Sequence, residues 1–172
     1  NSNCTNGTTT QQTIAITDDD AVPSVTLTVG SPSIEEDNAT NTSTVVTATL
    51  SAVSGLPVTV VLAKSGTTID TDFTLSSLTI NIPAGVGSGF STLSAIGDLL
   101  HEQNETVMFT ISSLTNAVEP VIQARTVTIN NNDPIPTVTL TVADNMLVED
   151  GGTTFVTATL SAVSGKEVRV TL

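Results

Sequence analysis

The chain contains no tryptophan and no tyrosine, and aromatics make up only 2% of it. Any core must therefore be packed with Val, Ile, Leu and Thr, which favour β-structure. Positive charge is equally scarce. Four Lys and Arg stand against 17 Asp and Glu, a net charge of −13, which argues against nucleic acid and anionic membrane surfaces as partners. No run of 18 apolar residues is present, so no membrane insertion is expected. No charged-then-apolar leader opens the sequence either. The ends read as cut from a longer protein, so that absence says nothing about secretion.

The single cysteine, Cys4, and the single histidine, His101, leave no CxxC and no Cys/His cluster, which sets zinc and redox chemistry aside. Cys4 remains open between a free thiol, a partner to a cysteine elsewhere and an attachment point. No G-x-S-x-G elbow accompanies His101, so a Ser–His–Asp site is not expected and the histidine reads as a loop side chain in solvent. Asp70 and Asp72 with Glu102 resemble a glycosidase pair only on paper, because the aromatics that stack sugars are missing. The glycine-rich run Gly85-Val86-Gly87-Ser88-Gly89 is followed by no P-loop lysine and reads as a flexible hairpin turn. No enzyme is expected. The sequons at Asn3, Asn6, Asn38, Asn41 and Asn104 carry no weight in a chain so rich in Asn and Thr.

What is present is a repeat. Val46–Gly55 reads VTATLSAVSG, and Val156–Gly165 reads the same ten letters. Val25-Thr26-Leu27-Thr28-Val29 returns as Val138-Thr139-Leu140-Thr141-Val142, and Ile16–Asp20 maps onto Ile129–Asp133 at the same offset. The second copy is three residues shorter around Gly151-Gly152. This divides the chain into the end of one unit (1–20), a complete unit (21–133) and the start of a third (134–172). Proline-bearing linkers, Ala21-Val22-Pro23 and Pro134-Ile135-Pro136, fall between the units.

Within 21–133, alternation marks seven strands: 25–29, 45–50, 57–62, 75–82, 90–96, 107–111 and 125–129. In the first, the valines and leucine point one way and the threonines the other. Seven short strands in a unit of this length predict an all-β fold, a seven-stranded antiparallel immunoglobulin-like sandwich, repeated in tandem.

The stretch Gly97–Glu105 places Asp98, Glu102 and Glu105 within eight residues at a strand's edge. Like charges so crowded need an answering group. Basic side chains are too few, and calcium, which gathers six to eight oxygens from loops, suits the composition better. A merely solvated acidic loop is the plain alternative.

With these residues in place the unit resembles the Calx-beta family. The resemblance is carried by Glu36 after the first strand, Asp72-Phe73, the Asp98/Glu102/Glu105 loop, the segment Ile82-Pro83-Ala84-Gly85, and the closing Thr126–Ile129 into Asn131-Asn132-Asp133. It implies a sandwich that binds calcium at one end, with Glu36, Asp72, Asp98, Glu102, Glu105 and Asp133 as ligands. Asp20 and Glu149 would be the counterparts of Asp133 and Glu36 in the neighbouring units. A sandwich alternates its loops between two ends, so these residues can share one. The sequence departs from the family at Gly97, where an aspartate is usual, and at Asn131-Asn132, where an aspartate run is usual; fewer charges mean a weaker site or fewer ions.

The implied role is structural. It is that of a calcium-stiffened repeat in a bacterial-type extracellular or cell-surface stalk, adhesin or filament. Its partners would be the neighbouring repeats, other copies in a filament, or surface proteins and glycans. A regulatory calcium sensor of the sodium–calcium-exchanger type is the alternative, disfavoured because the repeats are near-identical.

Overall fold

The computed structural model describes residues 3, 7, 11–37, 40 and 42–172. Cys4 lies outside these, as do Asn6, Asn38 and Asn41. The described residues form strands, turns and irregular segments without a helix, and none is part of a helix able to cross a membrane.

Residues 25–131 build two facing sheets. One has four strands, in the order β1 (Val25–Val29), β3 (Ser43–Leu50), β7 (Ser88–Ala95), β5 (Phe73–Leu75). The other has five, in the order β2 (Ser33–Glu36), β9 (Ala124–Asn131), β8 (Glu105–Thr115), β4 (Val58–Gly66), β6 (Thr79–Ile82). The alternation seen in the sequence becomes burial. Val25, Leu27, Val46, Ala48 and Leu93 face inward from the first sheet, and Val60, Ile80, Phe109, Val127 and Ile129 meet them from the second. The core is aliphatic around Phe109 and Phe73, as the composition requires.

Among the described residues of 25–131, nine strands stand where seven were expected, and one pairing is parallel. The predicted strand 75–82 is two strands in different sheets. Ser91, buried in β7, holds the break by donating from its hydroxyl to the Ser77 carbonyl at 2.6 Å and accepting the Ser77 N–H at 3.2 Å. With these backbone groups satisfied by a side chain, β5 ends and the chain crosses to the opposite sheet. The glycine-rich run after β6 is likewise no hairpin. It carries the chain back across, with Gly85 at φ +79°, and Gly89 sits where a Cβ would stand 2.8 Å from Ile80 Cγ2. The extra strand, β2, runs parallel to β9. It holds only one apolar residue, Ile34, so alternation could not reveal it. Its second inward position is Glu36, 6% exposed.

Beyond the sandwich, β10 (Val138–Val142) pairs with β11 (Val156–Leu160) antiparallel. Val138 faces Leu160 and Val142 faces Val156, as Val25 faces Leu50 and Val29 faces Val46 in β1 and β3. All ten paired positions hold the same residue types in both strand pairs. Their surroundings differ, for Leu27 is fully buried whereas its counterpart Leu140 is half exposed.

Candidate metal centre

Strand directions decide which loops meet. β2 and β9 run in parallel and finish at one pole, where antiparallel β8 begins. In the other sheet β7 ends at that pole and β5 begins there. The pole thus receives Glu36 from the end of β2, Asp72 from the turn before β5, Asp98 and Glu102 from the β7–β8 loop, Glu105 from the first residue of β8, and Asp133 from just past β9.

Carboxylate oxygens of Glu36, Asp98 and Asp133 lie within 4.8 Å of one another. Glu36 is the buried member, held at the pole by its inward place on β2. Burial raises its pKa above the ordinary carboxylate value, and the charges of Asp98, Glu102 and Asp133 push the same way; the Asp98 backbone N–H, donating to the Glu36 carboxylate, opposes them. Glu102 is raised by burial and by Asp98, Asp72 and Asp133, with Lys166 pulling it back. Glu105 is pushed up to about 7, first by burial, then by a hydrogen bond and charge repulsion from Asp72, with Glu102 and Glu36 adding to it. The six carboxylates therefore act on one another as a tight triad, a Glu105–Asp72 pair and Glu102 between them.

Local bonds aim these side chains. Asp98 Oδ1 accepts the Leu100 N–H at 2.6 Å. Asp72 Oδ2 accepts the Ile69 N–H at 2.9 Å, and its Oδ1 accepts from Thr71 Oγ1 at 3.0 Å. Asp70 forms an ion pair with Lys64 of β4.

Asparagines hold the loop, a role that their places in the sequence do not reveal. Asn131 donates from Nδ2 to the Leu100 carbonyl at 3.1 Å, and its backbone N–H donates to Asn104 Oδ1 at 3.2 Å. Asn104 in turn donates to Asn130 Oδ1, and Asn130 donates to Glu35 Oε1 and Ser33 Oγ. Asn131 is thus more than a lost charge; it fixes the loop that carries Asp98 and Glu102. His101, expected in solvent, is part-buried with Nδ1 2.9 Å from the Asp133 carbonyl oxygen and 3.1 Å from Asn131 Oδ1. Both neighbours are acceptors, so Nδ1 carries the proton. The partners of these polar groups lie 26 to 97 residues away in sequence, and no local motif announces such pairs.

The donor set is all oxygen, anionic and drawn from separate loops around a partly buried centre. That chemistry fits a hard divalent cation of the calcium type and suits zinc or copper poorly.

No family model matches the chain, and no curated protein matches it in sequence. Among solved structures it is similar to CBD12 from CALX1.2 and to the calcium binding domain CBD12 of CALX1.1, at 18% and 20% identity. Each alignment has a TM-score of 0.49 and covers 59% of this chain. The chain spans 42% and 41% of the length of those two structures. It is also similar to the apo form of the Calx CBD1 domain, at 19% identity and a TM-score of 0.45, over 59% of this chain and 89% of that one. Likeness this loose carries no function across.

Proposed function

We propose that the carboxylate pole binds calcium, and that residues 21–133 are one unit in a series of Calx-beta-like sandwiches whose joints the ion stiffens. The observation that carries this reading is the triad of Glu36, Asp98 and Asp133, with oxygens within 4.8 Å and Glu36 buried. Three carboxylates so close repel, most of all at the buried Glu36, and a divalent cation turns that repulsion into attraction. Glu36, Asp98, Asp133 and Glu102 would hold the ion, with Glu105 and Asp72 completing the charge on the β5 side. The repeated strand pair with its unchanged register supports the tandem reading, since identical letters in one register suit one fold made twice. In this reading 1–20 ends a preceding unit and 134–172 opens a following one.

The cellular role we propose is that of a stalk, adhesin or filament segment outside the cell, with neighbouring units as its first partners and no catalysis of its own. Thermal unfolding tests the ion. A ligand that binds only the folded state stabilises it by RT ln(1 + [L]/Kd), about 2.7 kcal/mol at a hundredfold excess over Kd. The melting temperature should rise with millimolar calcium over metal-free buffer, and coincident curves would remove the site.

A further inference from the structure

The loop after β11, Ala162-Val163-Ser164-Gly165, repeats the loop after β3, Ala52-Val53-Ser54-Gly55, and the copies part at the next residue, Leu56 in one and Lys166 in the other. Both loops stand at a junction. Residues 52–56 line a groove shared with Asp18 and Asp20. Ser164 forms a parallel bridge with His101, and the Gly165 N–H donates to the His101 carbonyl at 3.2 Å. Gly165 sits so close to the pole that a Cβ there would stand 2.4 Å from Glu102 Oε1. Lys166 Nζ comes to 3.5 Å from His101 Nε2, on the side of the ring away from Asp133. The lysine also attracts the Glu102 carboxylate.

The chain ahead of each junction differs to match. Asp18-Asp19-Asp20 precedes the junction with Leu56, and Asn131-Asn132-Asp133 precedes the junction with Lys166. Two carboxylates have become amides where one ammonium has been added. We propose that Lys166 is a built-in counter-ion that docks residues 134–172 onto the acidic pole when no divalent cation is bound, making this junction less dependent on calcium than one with leucine in that place. The comparison with calcium rests on the proposed ion site; the lysine contact itself does not.

Hydrogen exchange at the Gly165 amide, followed by NMR in the full 172-residue chain, tests this. In the native sequence the amide should be protected in metal-free buffer and in millimolar calcium. Lys166→Leu installs the residue that the other copy already carries. It should speed Gly165 exchange at least tenfold in metal-free buffer, with protection returning on addition of calcium. Amides of β8 should stay protected throughout, which separates loss of docking from unfolding. Free exchange of Gly165 in the metal-free native chain, or full protection in metal-free Lys166→Leu, overturns the proposal. A calorimetric calcium titration of the native chain tells the two readings apart. If Lys166→Leu loses protection while calcium gives no heat and restores nothing, the lysine contact stands and the ion site falls.

Discussion

A buried glutamate at a position that a strand would fill with an aliphatic side chain is costly unless its charge is met. Glu36 keeps that place with Asp98 and Asp133 beside it, so its substitution should cut two ways. Glu36→Gln should raise the melting temperature in metal-free buffer by removing repulsion, and weaken calcium binding at least tenfold, or roughly 1.4 kcal/mol. The exposed Asp150→Asn serves as the bulk-charge control, and an equal loss of affinity there would mean that the ligand list is wrong. The pH dependence follows from Glu105. A carboxyl held at about 7 instead of its ordinary 4.5 binds its proton more tightly in the folded state than in the unfolded one. Between those values the folded chain carries the extra proton, so stability in metal-free buffer falls as pH rises from about 4.5 to about 7 and then levels off. Glu36 and Glu102 are shifted upward too and act in the same sense. Melting temperatures at pH 5, 6 and 7.5 without metal should decline in that order; a rise across the series would contradict the crowded pole. The acidic residues were legible because three of them crowd one short stretch. The asparagines were not, because each acts through a partner far along the chain.

At the scale of elements, β1 is an edge strand, a place where another chain can add. Gln123 closes it. Its Oε1 accepts the Leu27 N–H and its Nε2 donates to the Val25 carbonyl, each at 2.9 Å, so one side chain occupies the groups a neighbouring strand would use. Arg125 Nε donates to the Leu27 carbonyl at 2.7 Å, and the Val118 carbonyl takes the Val25 N–H at 2.9 Å. Glu119 Oε1 steadies this by accepting the Gln123 N–H. Gln123→Ala with Arg125→Ala should cost about 1–3 kcal/mol of stability and promote self-association through the opened edge. Light scattering checks the second effect, and a double variant that stays monomeric at high concentration would deny the edge its guard. In the core, Phe109→Ala should cost about 3–5 kcal/mol, because aliphatic neighbours refill an aromatic hole poorly; denaturant unfolding measures it. Strands with clean alternation were visible in the sequence, although β4 and β8 each run four residues further than the alternation marked. β2 and the β5–β6 break were not, since one depends on a parallel partner in β9 and the other on the Ser91 hydroxyl.

For the whole molecule, the ion and the lysine make distinguishable contributions. If Lys166 already docks the following segment, calcium should change the small-angle scattering of the native chain little at that junction and that of Lys166→Leu more. The variant should show a broader distance distribution in metal-free buffer that narrows with calcium. Identical responses from the two proteins would mean that stiffness is set by the short proline linker alone.

Composition and alternation alone determined an all-β chain with an aliphatic core, because strand faces are written locally with a period of two. Letter-for-letter repetition likewise exposed the duplicated segments, and the crowding of acids exposed one loop of the pole. Only the tertiary structure decided that β2 and β9 run side by side, that Glu36 lies buried, and that Lys166 meets His101 from 65 residues away. Those facts depend on strand directions and on charges meeting across the chain, and neither leaves a local signature in sequence.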